Sequence, residues 1–178
     1  MQGSSMRNKF TLTLAVLAGL CSATAALAEK ADQSKPIEIN ANSGTLDQLK
    51  GHTVWEGNVV VTQGTLRVNA DRVVVTRDDK GNQTVQATGK VVTFRQKMDG
   101  KDEYIEGQAS RLDYTGITNT AVLTGNARVK RGEDLVIGDV ITYNTQSQTY
   151  QVKGGAATGP NKGRITVILQ PQTTGQQP

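Results

Sequence analysis

Between Ile37 and Gly159 the chain contains no proline, while glycine recurs from Gly44 through Gly51, Gly57, Gly64, Gly81, Gly89, Gly100, Gly107, Gly116, Gly125, Gly132 and Gly138 to Gly154. A central strand must donate every backbone N–H to its neighbours, and proline has none to give, so a long proline-free stretch suits an unbroken series of paired strands. Glycine at intervals of about 8 to 12 residues supplies the turns of an all-β sandwich or barrel. The segments between are short and rich in β-branched or aromatic residues, as in Val59-Val60-Val61-Thr62, Leu66-Arg67-Val68, Val73-Val74-Val75-Thr76, Val91-Val92-Thr93-Phe94 and Val140-Ile141-Thr142-Tyr143. No window carries a helical pattern.

The chain also repeats itself. Asn40-Ala41-Asn42, Asn69-Ala70-Asp71, Gln108-Ala109-Ser110 and Ile137-Gly138-Asp139 each read as the opening of a strand, and Gly57-Asn58-Val59, Gly89-Lys90-Val91 and Gly125-Asn126-Ala127 open the strand types between them. A unit of roughly 30 to 40 residues holding a few short strands cannot bury its own apolar face, so successive units must stack. Side chains alternate along a strand with period two, which sets Gly44 with Leu46, Val73 with Val75, Leu112 with Tyr114 and Ile141 with Tyr143 on one face. The intervening Thr45, Val74, Asp113 and Thr142 are mostly polar, so one face is dry and the other wet. In the glycine-led strands the dry residues are Val59 with Val61 and Ala127 with Val129. Phe94 falls one step out of that register and predicts a bulge or a shifted register after Gly89.

The N-terminus reads as a secretory leader. Arg7 and Lys9 precede an apolar run from Phe10 to Leu20, and Ala26-Leu27-Ala28 forms a small-x-small cleavage site before Glu29. The run is about half of the roughly 20 residues a membrane-spanning helix needs. Residues 1–28 are therefore expected to be removed, leaving one domain over 29–170 and a polar disordered tail over 171–178. Cys21 follows Leu20 rather than the small residue of a lipid-attachment site, so it belongs to the leader. Without Arg7 and Lys9 the mature chain has 18 basic against 16 acidic residues, interspersed in sign, which disfavours nucleic acid as a partner. With the only cysteine in the leader and His52 the only histidine, thiol, disulfide and Cys/His metal chemistry are excluded, and no cofactor is expected.

The run Gly57-Asn58-Val59-Val60-Val61-Thr62-Gln63-Gly64-Thr65-Leu66, continuing through Asn69-Ala70-Asp71-Arg72-Val73-Val74-Val75-Thr76-Arg77, resembles the OstA-like periplasmic lipopolysaccharide-transport proteins, the LptA family. Lys35-Pro36-Ile37-Glu38-Ile39, Gly107-Gln108-Ala109-Ser110, Val122-Leu123-Thr124-Gly125-Asn126-Ala127 and Gly138-Asp139-Val140-Ile141-Thr142-Tyr143 extend the likeness, in order, from about Lys35 to Gln170. The loops around Asp78 to Gln83 and Asp99 to Glu103 depart from the pattern. The resemblance implies a twisted, slightly open β-jellyroll of repeated short antiparallel strands, located in the periplasm, that shelters the acyl chains of lipid A in an apolar groove. It further implies passage of lipopolysaccharide from the inner to the outer membrane, with an ATP-driven inner-membrane complex and an outer-membrane lipopolysaccharide-inserting barrel as partners. It also implies that copies stack head to tail. No Gly-x-x-x-x-Gly-Lys-Ser/Thr loop is present in the mature chain, so ATP is expected to be hydrolysed by a partner.

On composition alone, the dry-face residues Ile37, Ile39, Val73, Val75, Phe94, Leu112, Tyr114, Ile141 and Tyr143 form a closed core. The resemblance turns them into lipid-binding candidates, because each methylene buried in a groove contributes about 0.8 kcal/mol without polar machinery. Arg77, two positions after Val75, either meets a lipid phosphate or ends the strand in water. Lys130-Arg131 and Lys162 with Arg164 read as solvated charges, with phosphate contact as the alternative, and Trp55 as core or groove rim. Asp71 and Asp139 recur at one repeat position, where a strand-entry role outweighs paired catalytic carboxylates. His52 lies in a turn-like stretch and no serine has a nucleophile elbow around it. A small outer-membrane β-barrel and a secreted hydrolase using His52 are the competing functions. The barrel lacks the aromatic girdles it would need, since only Trp55, Phe94, Tyr104, Tyr114, Tyr143 and Tyr150 are available. In an unclosed sheet, the first strand near Pro36 to Asn40 and the last near Arg164 to Leu169 would leave unlike edges free for head-to-tail strand addition.

Overall fold

The computed structural model describes residues 32, 34–98, 102–147, 149–156 and 163–171. The leader expected over 1–28, Cys21, Lys162 and all but the first residue of the expected tail lie outside the described residues. Ten strands are present among the described residues: β1 (Ile37–Asn40), β2 (Ser43–Asp47), β3 (His52–Gln63), β4 (Leu66–Arg77), β5 (Gln83–Lys97), β6 (Tyr104–Thr115), β7 (Thr120–Arg131), β8 (Asp134–Asn144), β9 (Thr149–Lys153) and β10 (Thr166–Ile168). They form one antiparallel sheet in the order β1-β3-β4-β5-β6-β7-β8-β10, with β2 also on β3 and β9 also on β8. The sheet does not close. Closure is what lets a barrel satisfy its edge groups in lipid, so the outer-membrane barrel weighed from the sequence does not form among the described residues.

The repeat has a different structural meaning from the one its sequence suggests. Asn69-Ala70-Asp71 does not open a strand but lies in the middle of β4, as Gln108-Ala109-Ser110 does in β6 and Ile137-Gly138-Asp139 in β8. At this level the register slips in every pairing from β3 to β8: between Glu56 and Val59, Asn69 and Arg72, Thr88 and Val92, Gln108 and Arg111, and Thr124 and Ala127. The slips form a row across the sheet. Extra residues on one strand bend it and raise its twist, so a row of bulges is a crease. Two strands turn the crease in the same way, with consecutive left-handed residues at Gly57 (φ 80) and Asn58 (φ 49) in β3 and at Gly125 (φ 83) and Asn126 (φ 49) in β7. Glycine and asparagine are the residues that tolerate this region.

In β5 the pairing skips Gly89, Lys90 and Val91 against Ser110 alone, which leaves Val91 exposed and turns Val92 and Phe94 inward. The bulge expected after Gly89 is therefore present. Asp71 sits opposite it, and its Oδ2 accepts the Lys90 N–H at 2.8 Å. The carboxylate thus closes the bulge of the neighbouring strand instead of capping its own entry. The small residues of the repeat lie on the crease, where Ala70, Ala109 and Ala127 are buried and Ala127 pairs with Gly138. At the sheet margins the crease interrupts the strand altogether. β1 and β2 are two halves of one edge, paired to opposite halves of β3, and β10 and β9 stand in the same relation to β8.

The crease divides the sheet into two leaves. One carries the β3–β4, β5–β6 and β7–β8 turns along its outer lip, and the other carries the β2–β3, β4–β5, β6–β7 and β8–β9 turns. The core lies along the fold between them, around Val59, Val73, Val92, Leu123 and Ile141, each at most 1% exposed. Leu46, expected on the dry face, is 57% exposed because β2 is an edge strand with a neighbour on one side only.

Candidate functional site: a cleft between two leaves

Beyond the core the leaves do not meet, and a cavity of about 400 Å³ separates them. Val61, Leu66, Val68, Phe94, Ile105 and Val129 line it from the first leaf, and Val73, Val85, Leu112, Tyr114, Leu123 and Tyr143 from the second. The walls are apolar because inward positions recur every second residue on each half-strand, and the crease keeps both halves of a strand facing the same space. Gly107 makes room for the largest wall residue. It pairs with Phe94, and a Cβ on it would lie 2.1 Å from the Phe94 ring, so a side chain there would displace the phenyl group.

Of the sequence candidates, Ile37, Val73, Phe94, Leu112, Tyr114 and Tyr143 come together around this one cavity, drawn from β1, β4, β5, β6 and β8. Ile37 does so from an edge strand and is 53% exposed. Ile39 and Val75 pack against the buried core, and Ile141 is wholly inside it. Arg77 is exposed at the end of β4, where its guanidinium donates to the Gln83 side-chain oxygen and its N–H donates to the Gly51 carbonyl at 2.7 Å. Trp55 packs against the core over Gly44. His52 is exposed at the start of β3.

Three charged residues line the cavity: Asp32, Lys97 and Arg131. Asp32 is buried on the β3–β4 turn, where it accepts the Thr65 N–H at 3.0 Å, the Thr65 hydroxyl, and Gln96 Nε2 at 3.1 Å. Burial alone would raise its pKa, but the Thr65 and Gln96 hydrogen bonds and the Lys35 charge outweigh that and hold it below the usual carboxylate range. Lys97 is bridged to Asp102 at 2.8 Å, a pair open to water and of small energetic weight. Arg131 follows Ala127 and Val129 on the inward face of β7. The alternation marks it as inward, and it is half-buried on the cavity lining, where the sequence alone reads a solvated charge with phosphate contact as the alternative. Across the cleft, Tyr143 and Tyr150 stack with centroids 4.5 Å apart. Tyr150 Oη is buried and lacks a hydrogen-bond partner of ordinary geometry. Burial, and then the neighbouring Tyr143, raise the Tyr150 phenol above its usual range, while the charge of Arg131 pulls the other way.

A creased, unclosed antiparallel sheet around an apolar cleft defines a jellyroll-like class of all-β proteins. Residues 38–149 match the family described as LptA/(LptD N-terminal domain) LPS transport protein, and the chain belongs to that family. It is 37% identical over 169 residues to the lipopolysaccharide export system protein LptA of Escherichia coli K12, covering 92% of this chain and 87% of that one. With the lipopolysaccharide export system protein LptH of Pseudomonas aeruginosa it shares 31% identity over 176 residues, 94% of this chain and 99% of the other. The crystal structure of LptH, described as the LptA-homologous periplasmic component of the lipopolysaccharide transport device of that organism, superposes with a TM-score of 0.70 at 29% identity. The match covers 79% of this chain and 99% of the LptH chain.

Proposed function

We propose that this chain is a non-enzymatic carrier of lipopolysaccharide in the periplasm, exported by its leader and released as a mature domain beginning at Glu29. The acyl chains of lipid A lie in the cleft while the phosphorylated sugars stay at the lips in water. The observation that carries this reading is the cleft itself, which is apolar on both walls, open along its lips and part of a fold shared with lipopolysaccharide transport proteins. A chain of about a dozen methylenes moved there from water contributes on the order of 10 kcal/mol before ordering costs. Direction and energy come from partners, an ATP-driven inner-membrane complex at one end and an outer-membrane inserting barrel at the other. The unlike margins of the sheet, β1 with β2 and β9 with β10, suit head-to-tail addition of further copies.

The test is purification of the exported protein from its native envelope without detergent, followed by intact mass and lipid analysis. A soluble protein starting at Glu29 with co-purified lipopolysaccharide is expected. A detergent-dependent protein, or one that carries no lipid and takes none up, refutes the carrier reading.

A further inference from the structure

Of the three charges in the cleft lining, two are already matched within the protein. Asp32 is satisfied by Thr65 and Gln96, and Lys97 by Asp102. Arg131 has no ion pair or side-chain hydrogen bond among the described residues. None of the surrounding carboxylates forms an ion pair with it among the described residues: Glu133 lies in the exposed turn that follows, Asp134 is its partner across the ladder but its Oδ1 accepts the Gln170 N–H at 2.8 Å, and Glu103 lies over Gly132. A half-buried guanidinium aimed into an apolar space has lost water without gaining a counter-charge. On the facing leaf, Tyr150 Oη is buried, with the stacked Tyr143 beside it and no charged partner among the described residues. Arg131 on β7 and Tyr150 on β9 line the same cavity from opposite leaves.

We propose that Arg131 and Tyr150 form an anion subsite at the lips of the cleft that takes a phosphate ester of the bound lipid. The guanidinium supplies paired donors to the phosphate oxygens and the phenol supplies a third. The inference rests on the carrier reading above and sharpens it, because it fixes one phosphorylated headgroup group at a set place along the cleft and makes the protein select phosphorylated amphiphiles over neutral ones of equal acyl content.

The experiment titrates the full mature protein with bisphosphorylated lipid A and with its phosphatase-treated form. Wild type is expected to prefer the phosphorylated lipid by about tenfold, the size of one charge-assisted contact. Arg131→Gln should bring the ratio to about one while leaving affinity for the dephosphorylated lipid within about twofold. Arg131→Lys should retain part of the preference, Tyr150→Phe should lower it by a smaller factor, and Lys130→Gln, on the exposed face of the same strand, should leave it intact. Millimolar inorganic phosphate should not alter the ratio, since a free ion brings no chain to fill the cleft. A preference that survives Arg131→Gln, or an equal loss of both lipids in a variant that melts like wild type, overturns the subsite. Collapse of the ratio in phosphate assigns Arg131 to a free ion and overturns the lipid assignment. Equal binding of both lipids by wild type defeats the subsite alone, whereas binding of neither defeats the carrier reading with it.

Discussion

Val85→Asp places a carboxylate on the cleft wall without breaking the core. Val85 sits on β5 between Val75 and Tyr114, lines the cavity and is only partly buried, so an aspartate there keeps contact with water while the cleft is empty. The folding cost is then the lost valine contact, about 1.5 to 3 kcal/mol at most. Binding suffers differently. An acyl chain that fills the cleft must either strip the carboxylate of water or stand clear of it. Leaving about four methylenes unburied costs roughly 3 kcal/mol at 0.8 kcal/mol each. Affinity should fall by about a hundredfold. The preceding residue, Thr84, points to solvent, and Thr84→Asp should change affinity by less than about threefold. Fluorescence competition with lipid A, on variants checked by circular dichroism, measures both. Equal losses from the two substitutions, or no loss from Val85→Asp in a folded protein, would show that the lipid does not occupy this cleft.

Asp32→Asn should loosen the residues before β1 and lower stability by about 1 to 3 kcal/mol at neutral pH through weakened charged hydrogen bonds. The folded pKa of Asp32 is depressed, so its stabilising contribution is present above the unfolded value near 3.8 and is lost as pH falls through the lower folded value. Thermal midpoints measured from pH 5 downward should therefore drop for wild type by an increment that the Asn variant lacks; parallel curves would remove Asp32 from the account. Gly107→Ala sets a methyl group against the Phe94 ring and should cost about 1 to 3 kcal/mol by overpacking. A melting temperature equal to wild type would show that the phenyl group relaxes freely. Deleting residues 164–178 removes β10 and should leave a monomer over a concentration series in which the full mature protein lengthens into oligomers; sedimentation that shows long oligomers in both would contradict addition at this edge.

Fold class was legible from local chemistry. Proline is absent where central strands run, and the period-two pattern assigned Val59, Val61, Ala127 and Val129 to the inner face they occupy, but glycine marks turns only at positions such as Gly51, Gly64, Gly116 and Gly132, while Gly57, Gly89, Gly107, Gly125 and Gly138 lie within strands. The crease was not legible, because a small residue followed by aspartate looks the same at the start of a strand and at a bend within one. Only pairing across strands separates Asn69-Ala70-Asp71 in the middle of β4 from a strand opening. Nor does alternation distinguish a closed core from a cleft. Ile141 and Tyr143 share a face, yet Ile141 is fully buried near the crease and Tyr143 lines the opening nearer the lip. Distance from the crease decides between the two, and that is a property of the sheet. For Arg131 the sequence left phosphate contact as the second reading, because the periodicity that marks Val129 as inward marks Arg131 as well but charge ordinarily outweighs pattern.

Every strand from β3 to β8 crosses the crease, and each is hydrogen-bonded to its neighbours on both sides of it. In mechanical terms the row of bulges is a line hinge shared by six strands rather than six separate joints. One strand cannot widen its angle without either dragging its neighbours or breaking ladder bonds at the row, so the gap between the walls is a collective coordinate of the whole sheet. A thick cargo seated against β5 therefore spreads the walls at β7 as well. Spreading decays along the hinge over the distance set by the stiffness of the ladder, and a margin strand already cut at the crease, as β1 and β2 are, transmits least of it.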